Sequence, residues 1–153
     1  MTDNATDTTE TITFSVPGPP KGQGRPRFAR IGAFVRTYDR AESRDWKSKV
    51  ALFAKAAGVR LIGGPVAISA VAFLARPKRL MRKRDEDGAI TATSKPDVDN
   101  ILKAVQDGLT GIAYADDAQI VEATILKMYH AKPSGPETTV SVGPARKVVL
   151  HAP

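Results

Sequence analysis

Residues 66–75 are apolar at almost every position: Val66, Ala67, Ile68, Ala70, Val71, Ala72, Phe73, Leu74 and Ala75, interrupted by Ser69 alone. Alternate side chains of an extended chain point to opposite faces, so this run is apolar on both. It belongs inside a sheet, with a strand on either side. Pro65 opens it. The other elements have to be arranged around such a strand.

Thr11-Ile-Thr-Phe-Ser-Val16 alternates apolar and polar, as a half-buried strand does, and Pro17-Gly-Pro-Pro20 stops it. Residues 21–36 are rich in Gly and Arg and have no period, which predicts a loop or irregular ribbon. A helix is expected over residues 39–57, where Trp46, Val50, Phe53, Ala54 and Ala57 fall on one face and Gly58 supplies a stop. A second helix is expected from Val98 to Leu109, with Val98, Ile101, Leu102, Val105 and Leu109 on its apolar side. Residues 119–129 and 138–142 read as strands, separated by the turn Lys132-Pro-Ser-Gly-Pro136. The order β-α-β-α-β-β predicts an α/β (α+β) fold: one small domain with a mixed sheet of about four strands and two helices on one face. Its bounds are expected at residues 11–145, after a disordered acidic tail over 1–10 and before a C-terminal tail over 146–153.

The chain has 153 residues and no cysteine. Disulfides, thiolate metal sites and cysteine nucleophiles are therefore excluded. His130 and His151 are its two histidines, and neither sits in a motif. No apolar run is long enough to span a membrane, and the acidic, Thr-rich start does not resemble a signal peptide, so a cytoplasmic location is expected.

Charge is partitioned. The whole chain carries +7, yet residues 97–122 hold six acids (Asp97, Asp99, Asp107, Asp116, Asp117, Glu122) against Lys103 alone. Residues 21–60 hold eleven bases against three acids, and residues 76–95 hold seven against three. A basic surface attracts a polyanion, and a carboxylate patch on that surface would repel it. The conflict disappears if the carboxylates hold a divalent metal and the polyanion is the substrate, which outlines a metal-dependent nuclease. Candidate DNA contacts are Lys21, Arg25, Arg27, Arg30, Arg79, Arg82, Lys83, Arg84 and Lys95, with both basic loops expected to order on binding. Phe28 and Phe34, interleaved with the arginines, suit either a core or stacking on bases.

Pro96 suits a helix start, which puts Asp97 at or near the N-cap and Asp99 on one face with Lys103. The positive end of the helix dipole favours ionised carboxylates, as a hard cation requires. Asp116 and Asp117 precede a strand, and a helix start and a strand start can converge on one ion. Blander readings exist for each residue: an ordinary N-cap for Asp97, a surface ion pair for Asp99 and Lys103, a turn for Asp116-Asp117.

Lys95-Pro-Asp-Val-Asp-Asn-Ile-Leu-Lys103, Asp107-Gly-Leu-Thr-Gly111 and Tyr114-Ala-Asp-Asp-Ala-Gln-Ile120 closely resemble the signature of the RusA family of Holliday-junction endodeoxyribonucleases, often prophage-encoded. Val16-Pro-Gly-Pro-Pro-Lys-Gly-Gln-Gly-Arg-Pro-Arg27 is similar to the start of its longer members. The resemblance spans residues 11–142. It implies a small α/β homodimer that uses Mg2+, with Mn2+ able to substitute. Such an enzyme resolves four-way DNA junctions by paired symmetric nicks in recombination and repair. It also implies that Asp97, Asp99 and Asp117 are catalytic and metal-binding, that Asp116 is a commonly acidic position, and that Lys103 is the functional lysine. The 76–95 loop is longer and more basic than in compact members, and the tail after residue 143 also departs. Two rivals follow from the residues: a non-catalytic basic DNA-binding module, and a nuclease of the same chemistry acting on other branched or flap nucleic acids.

Overall fold

The computed structural model describes residues 10–25, 27–38 and 40–153. The acidic tail expected over residues 1–10 lies almost wholly outside them. The expected α+β architecture is present, with five strands in its main sheet where about four were expected. In chain order the elements are β1 (Ile12–Pro17), β2 (Arg27–Ile31), β3 (Phe34–Tyr38), α1 (Ala41–Ala56), β4 (Val66–Leu74), β5 (Ile90–Thr91), α2 (Val98–Leu109), β6 (Ile120–Tyr129) and β7 (Glu137–Pro144). The main sheet runs β1-β7-β4-β6-β5, and β2 and β3 form a separate two-stranded sheet.

The apolar run at 66–74 is the middle strand, antiparallel to β7 and parallel to β6. Its Val66, Ile68, Ala70, Ala72 and Leu74 are buried, whereas Ala67, Val71 and Phe73 on the opposite face are only half-buried. Both helices lie on the first face. The second face carries short polar side chains instead, with Thr13 hydrogen-bonded to Ser141 at 2.7 Å and Ser15 to Thr139 at 3.1 Å.

Each helix buries the stripe its spacing predicts. Trp46, Val50 and Ala54 of α1 are buried, and Ile101, Ala104, Val105 and Leu109 of α2 are buried. Two assignments are corrected. Ala57 is the exposed cap after α1, and Val98, the first residue of α2, is exposed, the buried stripe beginning at Ile101. Gly58 has φ +88°, the left-handed conformation that ends α1 without steric cost.

The segment at 21–36 is also corrected. From residue 27 it is a hairpin in register (Phe28 opposite Thr37, Ile31 opposite Phe34), turned at Gly32 with φ +63°. Its strands were hidden because neither face is buried, so no alternation marks them. The two-residue β5 is too short to leave a pattern.

Parallel strands require a crossover, and α2 lies in the connection between β4 and β6. It therefore runs back along them, starting near their C-terminal ends and finishing near their N-terminal ends. Gly108 makes the packing possible: a Cβ there would lie 3.0 Å from the Lys47 carbonyl oxygen and 3.0 Å from Val50 Cβ. Gly108→Ala is expected to lower stability by about 1–3 kcal/mol through overpacking. Urea unfolding checks this, and an unchanged midpoint would contradict the close approach.

Candidate active site

The two ends of α2 carry the acidic residues. Asp97 is the N-cap, in extended conformation, and its side chain does not cap the helix. Instead Lys95 Nζ donates to its Oδ2 at 2.7 Å. That hydrogen bond, and then the nearby charges of Lys95 and Lys127, hold the Asp97 carboxyl below the usual aspartate range despite some opposing desolvation. Lys127 Nζ donates to the carbonyls of Ser94 at 2.6 Å and Pro96 at 3.1 Å, tying the start of α2 to the C-terminal half of β6. The Lys95–Pro96 peptide is cis.

Asp99 lies in the first turn of α2, exposed, and Lys103 follows one turn later, also exposed. They share a face, but no ion pair joins them among the described residues. The loop after β1 crosses this end of the helix. Gln23 N donates to Asn100 O at 3.0 Å, and a Cβ on Gly22 would sit 3.0 Å from Pro96 Cβ and 3.1 Å from Asn100 Cβ. Glycine is thus required where the loop meets the helix. Lys21 approaches Glu42 at 4.0 Å.

At the other end, Asp116 is committed to a turn. It caps the short 3-10 turn Asp117–Gln119, accepting from Ala118 N at 2.8 Å. Gln119 Oε1 accepts from the amides of Ala115 at 2.9 Å and Asp116 at 3.2 Å, while its Nε2 donates to Ile62 O and Gly64 O at 2.8 and 2.9 Å. Asp117 is exposed; its carbonyl accepts from Ile120 N, but its carboxylate has neither hydrogen bond nor ion pair among the described residues. It lines a shallow cleft with Lys47, Asp107, Thr110, Ala115 and Asp116, in which Lys47 and Asp107 pair at 3.3 Å. Tyr114, three residues before Asp117, is fully buried and donates to Gln106 O at 2.6 Å. Burial pushes its hydroxyl pKa far up, so it remains a neutral donor.

The expected convergence of helix start and strand start is therefore corrected within one chain. Asp97 and Asp99 stand at one end of α2, and Asp117 stands near Asp107 at the other, about 15 Å away at 1.5 Å of rise per residue. Among the described residues no three carboxylate or imidazole side chains come together as a metal site. The crossover topology causes this, since it places the end of α2 at the beginning of β6.

The basic candidates form two surfaces. Arg27 and Arg30 lie exposed on β2. Arg79, Arg82, Lys83 and Arg84 are exposed on a loop with a framework of its own. Arg76 is buried there and donates to the carbonyls of Leu80 at 2.8 Å, Gly88 at 2.8 Å and Glu86 at 2.5 Å. Lys132 adds bonds to Arg82 O and Asp85 O. These bonds hold the loop to its own carbonyls and to the segment after β6. The sequence assigns no role to Arg76 or Lys127, and gives Gln119 only as a member of the motif at 114–120. Arg76 sits in a run of like charges, and the carbonyls that Lys127 Nζ and Gln119 Nε2 reach are more than thirty residues away.

The sequence matches the family described as Endodeoxyribonuclease RusA over residues 17–142. The chain belongs to the RusA endodeoxyribonuclease family. A Bacillus subtilis (strain 168) chain named "Uncharacterized protein YqaN" is 36% identical over 128 residues, covering 80% of this chain and 90% of that one. Membership makes this a nuclease fold of the family that resolves Holliday junctions. No helix among the described residues is long and apolar enough to cross a membrane.

Replacing Lys95 by Met is expected to raise the Asp97 titration midpoint toward the ordinary aspartate value. Carbon-detected NMR of the carboxyl group reads this directly. The sign is fixed by the ion pair: with Lys95 present Asp97 stays charged to lower pH, and an unmoved midpoint would remove Lys95 from its surroundings.

Proposed function

We propose that this protein is a Mg2+-dependent endonuclease that resolves four-way DNA junctions by paired symmetric nicks, acting as a homodimer. The observation that carries the reading is the set of exposed, unshared carboxylates at Asp99 and Asp117, on family-matching positions, flanked by basic loops. Neither makes an ion pair among the described residues, so both carboxylates are open to a cation.

The donor set suits a hard cation, being all oxygen and without histidine or thiolate. Asp97, Asp99 and Asp117 would hold it, and Asp116 would act by shaping the turn that presents Asp117. A bound divalent ion supplies Lewis-acid stabilisation of the phosphate and an ionisable water. The protein's own groups do the rest. Lys103, one turn from Asp99, neutralises charge on the scissile phosphate. Lys95 keeps Asp97 ionised. The basic loops hold the DNA arms by phosphate contacts, which give affinity and position with little sequence information.

The dimer supplies what one chain separates. Strand β5 covers β6 only at Met128 and Tyr129, with Ala92 N donating to Lys127 O just beyond. From Ile120 to Leu126 the edge of β6 has no partner among the described residues, and Val121 and Leu126 are exposed on it. An open strand edge is a template for pairing. Antiparallel pairing with the same edge of a second copy sets the Ile120 end of one strand against the Lys127 end of the other. Asp117 of one copy then faces Asp97 and Asp99 of its partner across a two-fold axis, giving two equivalent sites on a substrate of matching symmetry.

Asp97→Asn, Asp99→Asn and Asp117→Asn are each expected to abolish cutting of a labelled four-way junction while leaving it bound. Wild-type rates in any one would remove that residue from the site. Mixing Asp99→Asn with Asp117→Asn chains should restore cutting, because one of the two shared sites in the mixed dimer keeps all its carboxylates. No recovery on mixing would return the site to a single chain. Binding without cutting by wild type in Mg2+ and Mn2+ would favour the non-catalytic module.

A further inference from the structure

We infer that the β2–β3 hairpin is an arm that stacks aromatic side chains on unpaired or unstacked DNA bases at the branch point. The inference rests on the DNA-directed function proposed above and adds a base-contacting site to it.

The hairpin stands apart from the main sheet, and both of its faces are open. Phe28 is 72% exposed, Phe34 80% and Tyr38 44%, with Ile31 and Val35 at 64% and 66%. The alternative of a core role for Phe28 and Phe34 is thereby excluded. Two-stranded hairpins are marginal by themselves, and one that leaves five large apolar side chains in water is incomplete until something covers them. The register sorts these side chains. Phe34, Ile31 and Tyr38 share one face with Arg27 and Arg36, and Phe28 and Val35 share the other with Arg30. Phe34 and Ile31 pair beside the Gly32 turn, so the tip is apolar, with Arg30 one pair behind it, Arg36 the next and Arg27 at the base.

Charge selects the occupant. Residues 27–38 contain Arg27, Arg30 and Arg36 and no acid. An anionic partner with flat apolar faces fits this alternation, since arginines take phosphates while aromatics take bases. A hollow bounded by Ala29, Ile31, Arg36, Thr37, Tyr38 and Arg44 opens on the first face, between the arm and α1. An apolar tip entering a duplex must break stacking, which costs a few kcal/mol per step. At a branch point stacking is already interrupted, so the same insertion is cheaper there. The arm thereby favours branched DNA over continuous duplex.

Phe34→Ala, Phe28→Ala and the double variant test this, with 2-aminopurine placed next to the branch point of a four-way junction. Wild type is expected to raise its fluorescence on binding. Phe34→Ala should suppress that rise and reduce junction affinity about tenfold relative to linear duplex. An unchanged signal and an unchanged junction-to-duplex ratio in the double variant would overturn the inference while leaving the nuclease reading intact. A dimer in wild type that becomes a monomer in the double variant would also overturn it, since the arm would then be a contact between copies. Absence of any DNA binding by wild type would remove both readings.

Discussion

The structure depends on burial of one face of α2. Ile101, Ala104, Val105 and Leu109 seat this helix against the sheet, and Gly108 lets it close on α1 at Val50. Because α2 is also the crossover between two parallel strands, that burial fixes its direction. Asp97 and Asp99 are placed at the C-terminal side of the sheet, and Asp116 and Asp117 at the other. The separation of the carboxylates follows from packing, and so does the part assigned to the open edge of β6.

Electrostatics then sorts the surface. The acids on and after α2 meet the basic segments at two places, where Lys95 and the loop carrying Lys21 reach the helix start beside Lys127, and where Lys47 of α1 pairs with Asp107 at 3.3 Å. At the helix start the cations keep Asp97 ionised and leave Asp99 free. In the reading proposed above, such a site repels DNA when empty of cations and accepts it when they are present. In the reading inferred for it, the exposed hairpin adds a contribution of another kind, apolar and local, which phosphate contacts cannot provide.

Much of this was legible in the sequence. The run at 66–74 declared itself a central strand, and the helical stripes through Trp46 and Ile101 were correct except for Ala57 and Val98 at their ends. The carboxylates were found because they interrupt a basic chain. The strands of the hairpin were not legible, because a strand that buries neither face has no period to show. Nor was the role of Gln119, whose partners Ile62 and Gly64 are more than fifty residues away. The separation of Asp97 from Asp117 required the topology, since spacing along the chain does not say that a helix runs back along the next strand.

The most direct test is where a divalent ion binds. Amide signals of isotope-labelled wild type should broaden around residues 97–99 and 116–117 as Mn2+ is added, both segments along one saturation curve with one ion per chain. Separate midpoints for the two segments, or broadening centred on Asp85–Asp87 instead, would contradict a single site built from both ends of α2.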